Sequence, residues 1–521
     1  MEKKTTLTAS DRHFLSQIAQ VTYMNPFDLV RNRILVQLAG GHSGMRGEAA
    51  LKVVIPKMNA RITHIDQQGF NTLERFAAED RLMMRSLFLY QIYNRYTSEL
   101  DRVIEEQLRN KDAPVALAER VITDLTTRGF TESEALHYFA CFFQLRRAFS
   151  FIFYSLVGRS RSIQKLRFAL WNNVFTNDMR AFDRALWGRM EDFSTLLLGE
   201  TGTGKGSAAA AIGRSGYIPF DRAKGRFVAS FTESFISTNL SQFPETLIES
   251  ELFGHRKGAF TGAVDDHKGL FELCSQHGAL FLDEIGEMTV PVQIKLLQVL
   301  QDRTFTSVGS HQAKRFAGRV IGATNKSITE LRTSGRFRDD LFYRLCSDVI
   351  TLPTLRQRLE EDPSELERLV REQIVRLTGK DDAHDTEFIL ETLKRDLPKN
   401  YPWPGNVREL EQAVRRVLLT HHYTGDMKMA GAEPSHALAG EIHAGTLNAR
   451  ELLSRYCGLL HDRLGTIEEV ARRTGLDRRT VKKYVAATQA GDDARRSGIR
   501  DAAVGSVGHR RRRGKREIAV P

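Results

Sequence analysis

The feature that most constrains this chain is the run Leu196-Leu197-Leu198-Gly199-Glu200-Thr201-Gly202-Thr203-Gly204-Lys205. The leucines read as a buried strand, the glycine-rich loop follows at once, and the alanine-rich stretch Ser207 to Ile212 reads as a helix. This is the GxxxxGK phosphate loop in the strand–loop–helix context it requires. Glycine lets successive backbone N–H groups turn toward phosphate oxygens, and the start of the helix adds partial positive charge. Lys205 is placed to reach β and γ phosphates. Position 206 is Gly, where Ser or Thr would offer magnesium a hydroxyl. The expected binding set is Gly199, Glu200, Thr201, Gly202, Thr203, Gly204, Lys205 and Gly206, with ATP and Mg2+ as ligands.

Downstream, Ala279-Leu280-Phe281-Leu282-Asp283-Glu284 is a hydrophobic strand ending in two acids. An isolated Asp-Glu pair is usually a solvated turn, but after a phosphate loop and at a strand end it suits catalysis. Asp283 is placed to hold magnesium through water, and Glu284 to polarise an attacking water. A further strand, Val320-Ile321-Gly322-Ala323, runs into Thr324-Asn325, polar groups positioned to sense a γ phosphate. Arg338 and Arg344 lie six apart. Spacing leaves two readings open for them: surface ion pairs, or arginine fingers that reach a neighbouring subunit's nucleotide.

A chain of 521 residues is too long for one core, and its 41% hydrophobic and 27% charged content is that of a globular protein. The expected architecture is multidomain. Residues 1–170 read as a helical region of unknown, regulatory role. Phe70 to Arg109 lacks Gly and Pro, and Leu82, Leu89, Tyr93, Tyr96 and Leu100 recur at helical spacing. The aromatic run Tyr138, Phe139, Phe142, Phe143, Phe149, Phe151, Phe153 reads as core or subunit interface. Residues 171–395 alternate short apolar runs with helices, as an α/β domain with a parallel sheet does. Residues 396–430 turn helical again, 431–444 read as a linker, 445–487 as a compact helical unit, and 488–521 as a disordered basic tail. Cys141, Cys274, Cys346 and Cys457 are scattered, with no CxxC pair or nearby histidine cluster, which argues against a disulfide framework and a zinc site. Met1 to Phe14 has no apolar signal core, and no apolar run spans a bilayer of about 30 Å, so a cytoplasmic protein without a membrane partner is expected.

Glu249 to Ala263 make the chemistry more specific. Gly258-Ala259-Phe260-Thr261-Gly262-Ala263 reads GAFTGA, the signature loop of sigma-54-dependent transcriptional activators, the bacterial enhancer-binding proteins of the AAA+ class. The resemblance runs from about Leu196 to Leu419 and takes in Gly278 to Met288, Arg338 to Leu345, and Tyr401-Pro402-Trp403-Pro404-Gly405-Asn406-Val407-Arg408-Glu409-Leu410. It implies an AAA+ core with a helical lid, a ring that is hexameric, and ATP hydrolysis that remodels RNA polymerase carrying sigma-54. It implies that Phe260 and Thr261 make the key contact with sigma-54, that Asn239 couples Glu284 to this loop, and that Arg408 is the second sensor, reaching nucleotide from the lid. An exposed Phe in a Gly-flanked loop is also, on physical grounds, an apolar probe that nucleotide state can raise or lower. The chain departs from the family at Gly206, where Glu is typical, and in an insertion centred on Gly216 to Phe231. Residues 1–170 match no receiver, GAF or PAS pattern.

The carboxyl-terminal end reads as DNA-binding. Of a net charge of +12, residues Glu441 to Pro521 hold 18 Lys/Arg against 10 Asp/Glu, and basic character gathered at one end favours nucleic acid. Thr466-Ile467-Glu468-Glu469 reads as a capping box, Gly475 permits a tight turn, and Asp477 caps a second helix, Arg478 to Val485. That helix offers Arg478, Arg479, Thr480, Lys482 and Lys483 outward, with Val481 and Val485 inward. A helix-turn-helix uses such residues on base edges and phosphates. The Arg510-Arg511-Arg512-Arg513 run adds non-specific, salt-sensitive affinity for double-stranded DNA.

Overall fold

The computed structural model describes residues 7–42, 45, 47–333, 335, 337–425, 438, 442 and 447–487. Helices build the first part of the chain: α1 (Ala9–Thr22), α2 (Leu29–Ala39), α3 (Gly47–Gln67), α4 (Ala78–Arg109), α5 (Ala118–Thr127), α6 (Glu132–Ser155) and α7 (Arg161–Phe175). Side chains of Thr8 and Asp28 cap α1 and α2, and Thr131 with Glu134 closes a reciprocal box at α6. α4 buries Phe88, Ile92, Tyr96, Leu100 and Ile104. Leu82, expected on that face, is 68% exposed. Asp80 and Met84 turn inward instead, because the Asp80 carboxylate accepts from Leu7 N (3.1 Å) and from the Arg12 guanidinium (2.8 and 3.0 Å). The α6 aromatics are mostly core: Phe139, Phe142, Phe143 and Phe151 are buried, while Phe153 is 39% exposed.

The strands in chain order are β1 (Thr195–Leu198), β2 (Phe220–Asp221), β3 (Arg226–Phe227), β4 (Phe235–Asn239), β5 (Ala279–Asp283), β6 (Thr304–Thr306), β7 (Ala313–Arg315), β8 (Arg319–Thr324) and β9 (Asp348–Thr351). The order β4-β5-β8-β1-β9 makes a five-stranded parallel sheet. Parallel strands covered on both faces need near-continuous apolar runs, which Leu196, Leu197, Leu280, Phe281, Leu282, Val320 and Ile321 supply. One face packs on Leu252, Leu296, Phe316 and Leu341. The other shares a single core with the amino-terminal helices through Leu197, Ala208, Phe281, Ile321 and Ile350. Because β5, β8 and β1 are neighbours, the segments leaving their carboxyl ends open at one crevice, where ligands of such sheets bind.

The insertion ahead of β4 forms the hairpin β2–β3, with Phe220 opposite Phe227. Phe227 stacks on Phe143 of α6 at 4.3 Å, and Phe220 meets Phe139 edge-on at 4.9 Å. Beside them the buried Arg147 guanidinium donates to the carbonyls of Arg214 (2.7 Å) and Gly216 (2.8 Å), and Gln144 donates to Ser215 O (3.0 Å). The insertion is thus a peg that fastens α6 to the sheet's flank.

Helices Leu355–Glu361, Glu365–Thr378, Ala383–Asp396 and Asn406–Thr420 form a lid around Leu369, Ile374, Leu393, Leu410 and Val414. A buried ion pair, Arg358 with Glu365 at 2.6 Å, joins two of these lid helices, and both side chains also hold the approach to α7. Glu365 also accepts from the Arg159 and Ser160 N–H groups, and Arg358 donates to Val157 O at 2.6 Å. All of these elements lie in one compact unit, residues 1–423.

The second unit, residues 424–521, contains helices Ala449–Leu464 and Ile467–Thr474 and a helix at 478–487. Its core is Cys457, Leu460, Val470, Val481 and Val485. Of the capping box expected at Thr466, only the half in which Thr466 accepts from Glu469 N is formed. The Glu469 carboxylate turns to Arg472 instead. The linker 431–444, apart from positions 438 and 442, and the 488–521 tail with Arg510 to Arg513 lie outside the described residues. Among the described residues no helix is long and apolar enough to cross a membrane.

Candidate functional site

The phosphate loop leaves β1 and enters the helix Lys205–Gly213, one turn longer than the sequence suggests. Gly202 and Gly204 sit at φ +80° and +98°, left-handed conformations that glycine adopts without strain. A Cβ on Gly202 would stand 2.1 Å from Gly405 O, so this glycine is also required by the close approach of the lid. The Lys205 ammonium donates to Gly199 O at 2.8 Å, and Thr203 Oγ1 donates to Glu200 O at 2.8 Å. Burial pulls the Lys205 ammonium below its usual range, Glu284 and Asp283 oppose that shift, and Arg408 adds to it. Gly206 has open space around it.

The lid is fastened to this loop by a residue whose role the sequence does not announce. Asn406 is fully buried at φ +53° and donates to Thr201 O (3.0 Å) and to Glu200 Oε2 (3.1 Å) while accepting from Leu355 N (2.8 Å). Val407 N donates to Gly202 O at 3.1 Å, which places Arg408 over the phosphate loop. Arg356 pairs with Glu200. The loop is therefore clamped from above by backbone and amide groups, with Arg408 and Lys205 contributing the positive charge.

Asp283 ends β5 and Glu284 follows at φ +56°, a left-handed turn that sets its side chain apart from the strand direction. The Asn325 N–H lies 3.5 Å from Glu284 Oε2, and Asn325 Nδ2 lies 3.5 Å from Thr201 Oγ1. The acidic pair, the polar end of β8 and the phosphate loop thus meet in one cleft. Asn239 stands opposite Asp283 in the β4–β5 register, and its side-chain oxygen accepts from Ser241 N at 2.9 Å. Arg338 and Arg344 belong to the segment around helix Asp339–Leu345. Arg338 is held by Asp340 at 2.6 and 3.0 Å, and Arg344 is exposed.

The Gly258 to Ala263 loop is a closed turn, with Gly258 N donating to Ala263 O at 2.8 Å and both flanking glycines at positive φ, +78° and +102°. Its stem is the bridge between His255 and His267, braced by Arg256 with Asp266 at 2.6 Å. Phe260 is 38% exposed and lies edge-on to the His255 ring at 4.9 Å. Thr261 is exposed at the tip and Ala259 packs toward Gly309.

In the second unit, Arg478, Arg479, Lys482 and Lys483 are exposed, Thr480 is half-buried, and Asp477 accepts from Arg479 N at the helix start. Another set of chemistry-bearing residues precedes the phosphate loop in sequence. His137 and Cys141, one turn apart on α6, meet Asp183, although the scattered cysteines argue against a metal-type cluster. Their i, i+4 spacing was the available signal. Asp183 comes from a separate segment, which only the fold supplies.

The family model described as the Sigma-54 interaction domain matches residues 177–351. The chain is 40% identical over 272 residues to the DNA-binding transcriptional regulator NtrC of Rhizobium meliloti (strain 1021), covering 52% of this chain and 49% of that protein. It is 36% identical over 289 residues to the regulatory protein AtoC of Escherichia coli (strain K12), covering 54% and 58%. The chain therefore spans about half the length of the curated relatives it matches. Among solved structures, NtrX from Brucella abortus in complex with ADP is similar at 20% identity and a TM-score of 0.40, over 77% of this chain and 85% of that one. Residues 177–351 are thus similar to the Sigma-54 interaction domain, and the chain resembles regulators such as NtrC and AtoC over about half of its length.

Proposed function

We propose that the chain is a sigma-54-dependent transcriptional activator that hydrolyses ATP to remodel the closed complex of RNA polymerase holoenzyme with sigma-54. The observation that carries this is the convergence of a phosphate loop, an acidic pair and a lid arginine on the core that also bears the Phe260 loop. In this reading Gly199 to Gly206 cradle the triphosphate with backbone N–H groups, and Lys205 exchanges its carbonyl partners for phosphate oxygens. Glu284 orients and polarises the attacking water, while Asn325 and Arg408 report on the γ phosphate. Asp283, at the strand end beside Lys205, fits a magnesium ion, which when bound would neutralise phosphate charge. Arg338 and Arg344 serve the nucleotide of an adjacent protomer in a hexameric ring, and Arg338 must exchange Asp340 for it.

Asn239, beside Asp283, passes the state of Glu284 toward the loop, and Gly258, Ala259, Phe260, Thr261, Gly262 and Ala263 form the surface offered to sigma-54. Residues 466–485 act as a helix-turn-helix on upstream double-stranded DNA, with Arg478, Arg479, Thr480, Lys482 and Lys483 on the nucleic acid. The 171–395 core, the 396–430 lid end and the 445–487 unit would then divide hydrolysis, sensing and DNA binding, in the cytoplasm. Two substitutions test this. Glu284→Gln should abolish ATP turnover with binding retained, and unchanged turnover sinks the enzymatic reading. Thr261→Ala should keep turnover yet lose open complexes at sigma-54 promoters. Open complexes that survive it would point to a different target for the same motor.

A further inference from the structure

We infer that His137, Cys141 and Asp183 form a binding site for a zinc-class divalent cation, set in the wall of a large cavity between the amino-terminal helices. Each residue offers one ligand atom, and these atoms all lie within 4.8 Å of one another. His137 Nε2 is 3.0 Å from Asp183 Oδ1 and 3.5 Å from Cys141 Sγ. Zinc bonds of about 2.3 Å to sulfur and about 2.0 Å to nitrogen put those two atoms about 3.5 Å apart along a tetrahedral edge. The nitrogen–sulfur edge is therefore already at coordination length, the nitrogen–oxygen edge needs to open by a few tenths of an ångström, and the sulfur–oxygen edge, within 4.8 Å, needs to settle at about 3.5 Å.

The surroundings are those of a built ligand set. Metal-bound histidines almost always engage their second ring nitrogen, which fixes the tautomer and orientation. Here His137 Nδ1 lies 3.1 Å from Tyr217 Oη, and the ring is packed against Trp187 at 5.0 Å. The remaining Asp183 oxygen accepts from Tyr138 Oη at 3.1 Å. Three protein ligands with one position left open is the plan of sites that also take an exogenous ligand.

That open position has somewhere to face. Tyr138, Cys141 and Asp183 line a cavity of about 1040 Å³ whose other walls include Phe27, Tyr93, Phe142, Phe149 and Trp171. The three ligands also join separate parts of the fold. His137 and Cys141 lie on α6, Asp183 on the segment that leads from α7 toward β1, and Tyr217 on the insertion. A bound cation would staple the helical region to the start of the sheet. This inference stands apart from the proposed activator function, since metal binding is read directly.

The test is titration of the full-length chain with Co2+ after dialysis against chelator. One cobalt per chain should bind, with visible bands of four-coordinate cobalt and a near-ultraviolet thiolate-to-cobalt band. Cys141→Ser should lose the near-ultraviolet band and Cys346→Ser should retain it. His137→Ala should lose tight binding, and Tyr217→Phe should weaken affinity about 10-fold or more with the spectrum preserved. X-ray absorption on the unmodified chain, which needs no variant to fold, should show one sulfur neighbour. No stoichiometric binding, cobalt without a sulfur neighbour, or a thiolate band that persists in Cys141→Ser would each overturn the assignment.

Discussion

Replacing Gly202 by alanine tests the seam between phosphate loop and lid without touching Lys205, Asp283 or Glu284. The new methyl would stand 2.1 Å from Gly405 O and 3.1 Å from Arg408 Cβ, at φ +80°. A left-handed conformation costs an alanine about 1 kcal/mol or more. Moving Gly405 away from the loop breaks the bond from Val407 N to Gly202 O, worth about 1 kcal/mol. The bonds from Asn406 to Thr201 O and Glu200 are strained by the same shift. A closed cleft disfavoured by about 2 kcal/mol should weaken ATP binding about 30-fold, since 1.4 kcal/mol is tenfold. Calorimetric titration with a non-hydrolysable ATP analogue reads this directly, with the thermal midpoint as a control for global unfolding. An affinity within threefold of the parent, in a folded variant, would refute the claim that this glycine seats the lid.

Phe227→Ala removes the ring stacked on Phe143 and should cost about 3 kcal/mol in denaturant unfolding, at the lower end for a buried phenylalanine because a hairpin can relax. A loss below about 1 kcal/mol would mean that the insertion does not fasten α6. Asp80 carries a pH-dependent prediction. Its carboxyl is held below the usual range by the bond from Arg12, working against burial. A depressed carboxyl contributes stability that is complete above its unfolded pKa of about 3.9 and is lost as pH falls through the lower folded value. Asp80→Asn should therefore destabilise the chain by about 2 kcal/mol at neutral pH and flatten the acid limb of its stability curve. An acid limb unchanged by the substitution would show that the Arg12 contact is not the source.

Elements with strong local rules were legible from residues alone. The phosphate loop, the β5 strand ending at Asp283 and the valines of the helix at 478–487 obey short-range spacing, and they fall where that spacing puts them. Leu82 misled because periodicity alone cannot see that Asp80, bonded to Leu7 and Arg12, takes the buried position in the first turn of α4. The half-formed box at Thr466 shows two local partners competing for Glu469, a contest that spacing does not decide. Asn406 was visible only as part of a motif, since its bonds span some 200 positions of sequence to Glu200 and Thr201. The peg built from the insertion, and the meeting of Asp183 with His137, depend on long-range contacts that no local pattern encodes.

The buried pair of Arg358 and Glu365 has a consequence for how any signal travels. The amino-terminal helices grip the lid through Val157, Arg159 and Ser160, and grip the sheet's flank through the β2–β3 hairpin. They are therefore joined to both the lid and the flank of the sheet. At this junction Gly158, at φ +140°, sits against the Glu365 carboxylate with no room for a Cβ, so a change in lid angle would press on this contact. Thermodynamic reciprocity would make any such coupling two-way: an occupant of the helical region that preferred one angle of closure would shift nucleotide affinity by the same factor that nucleotide shifted its own.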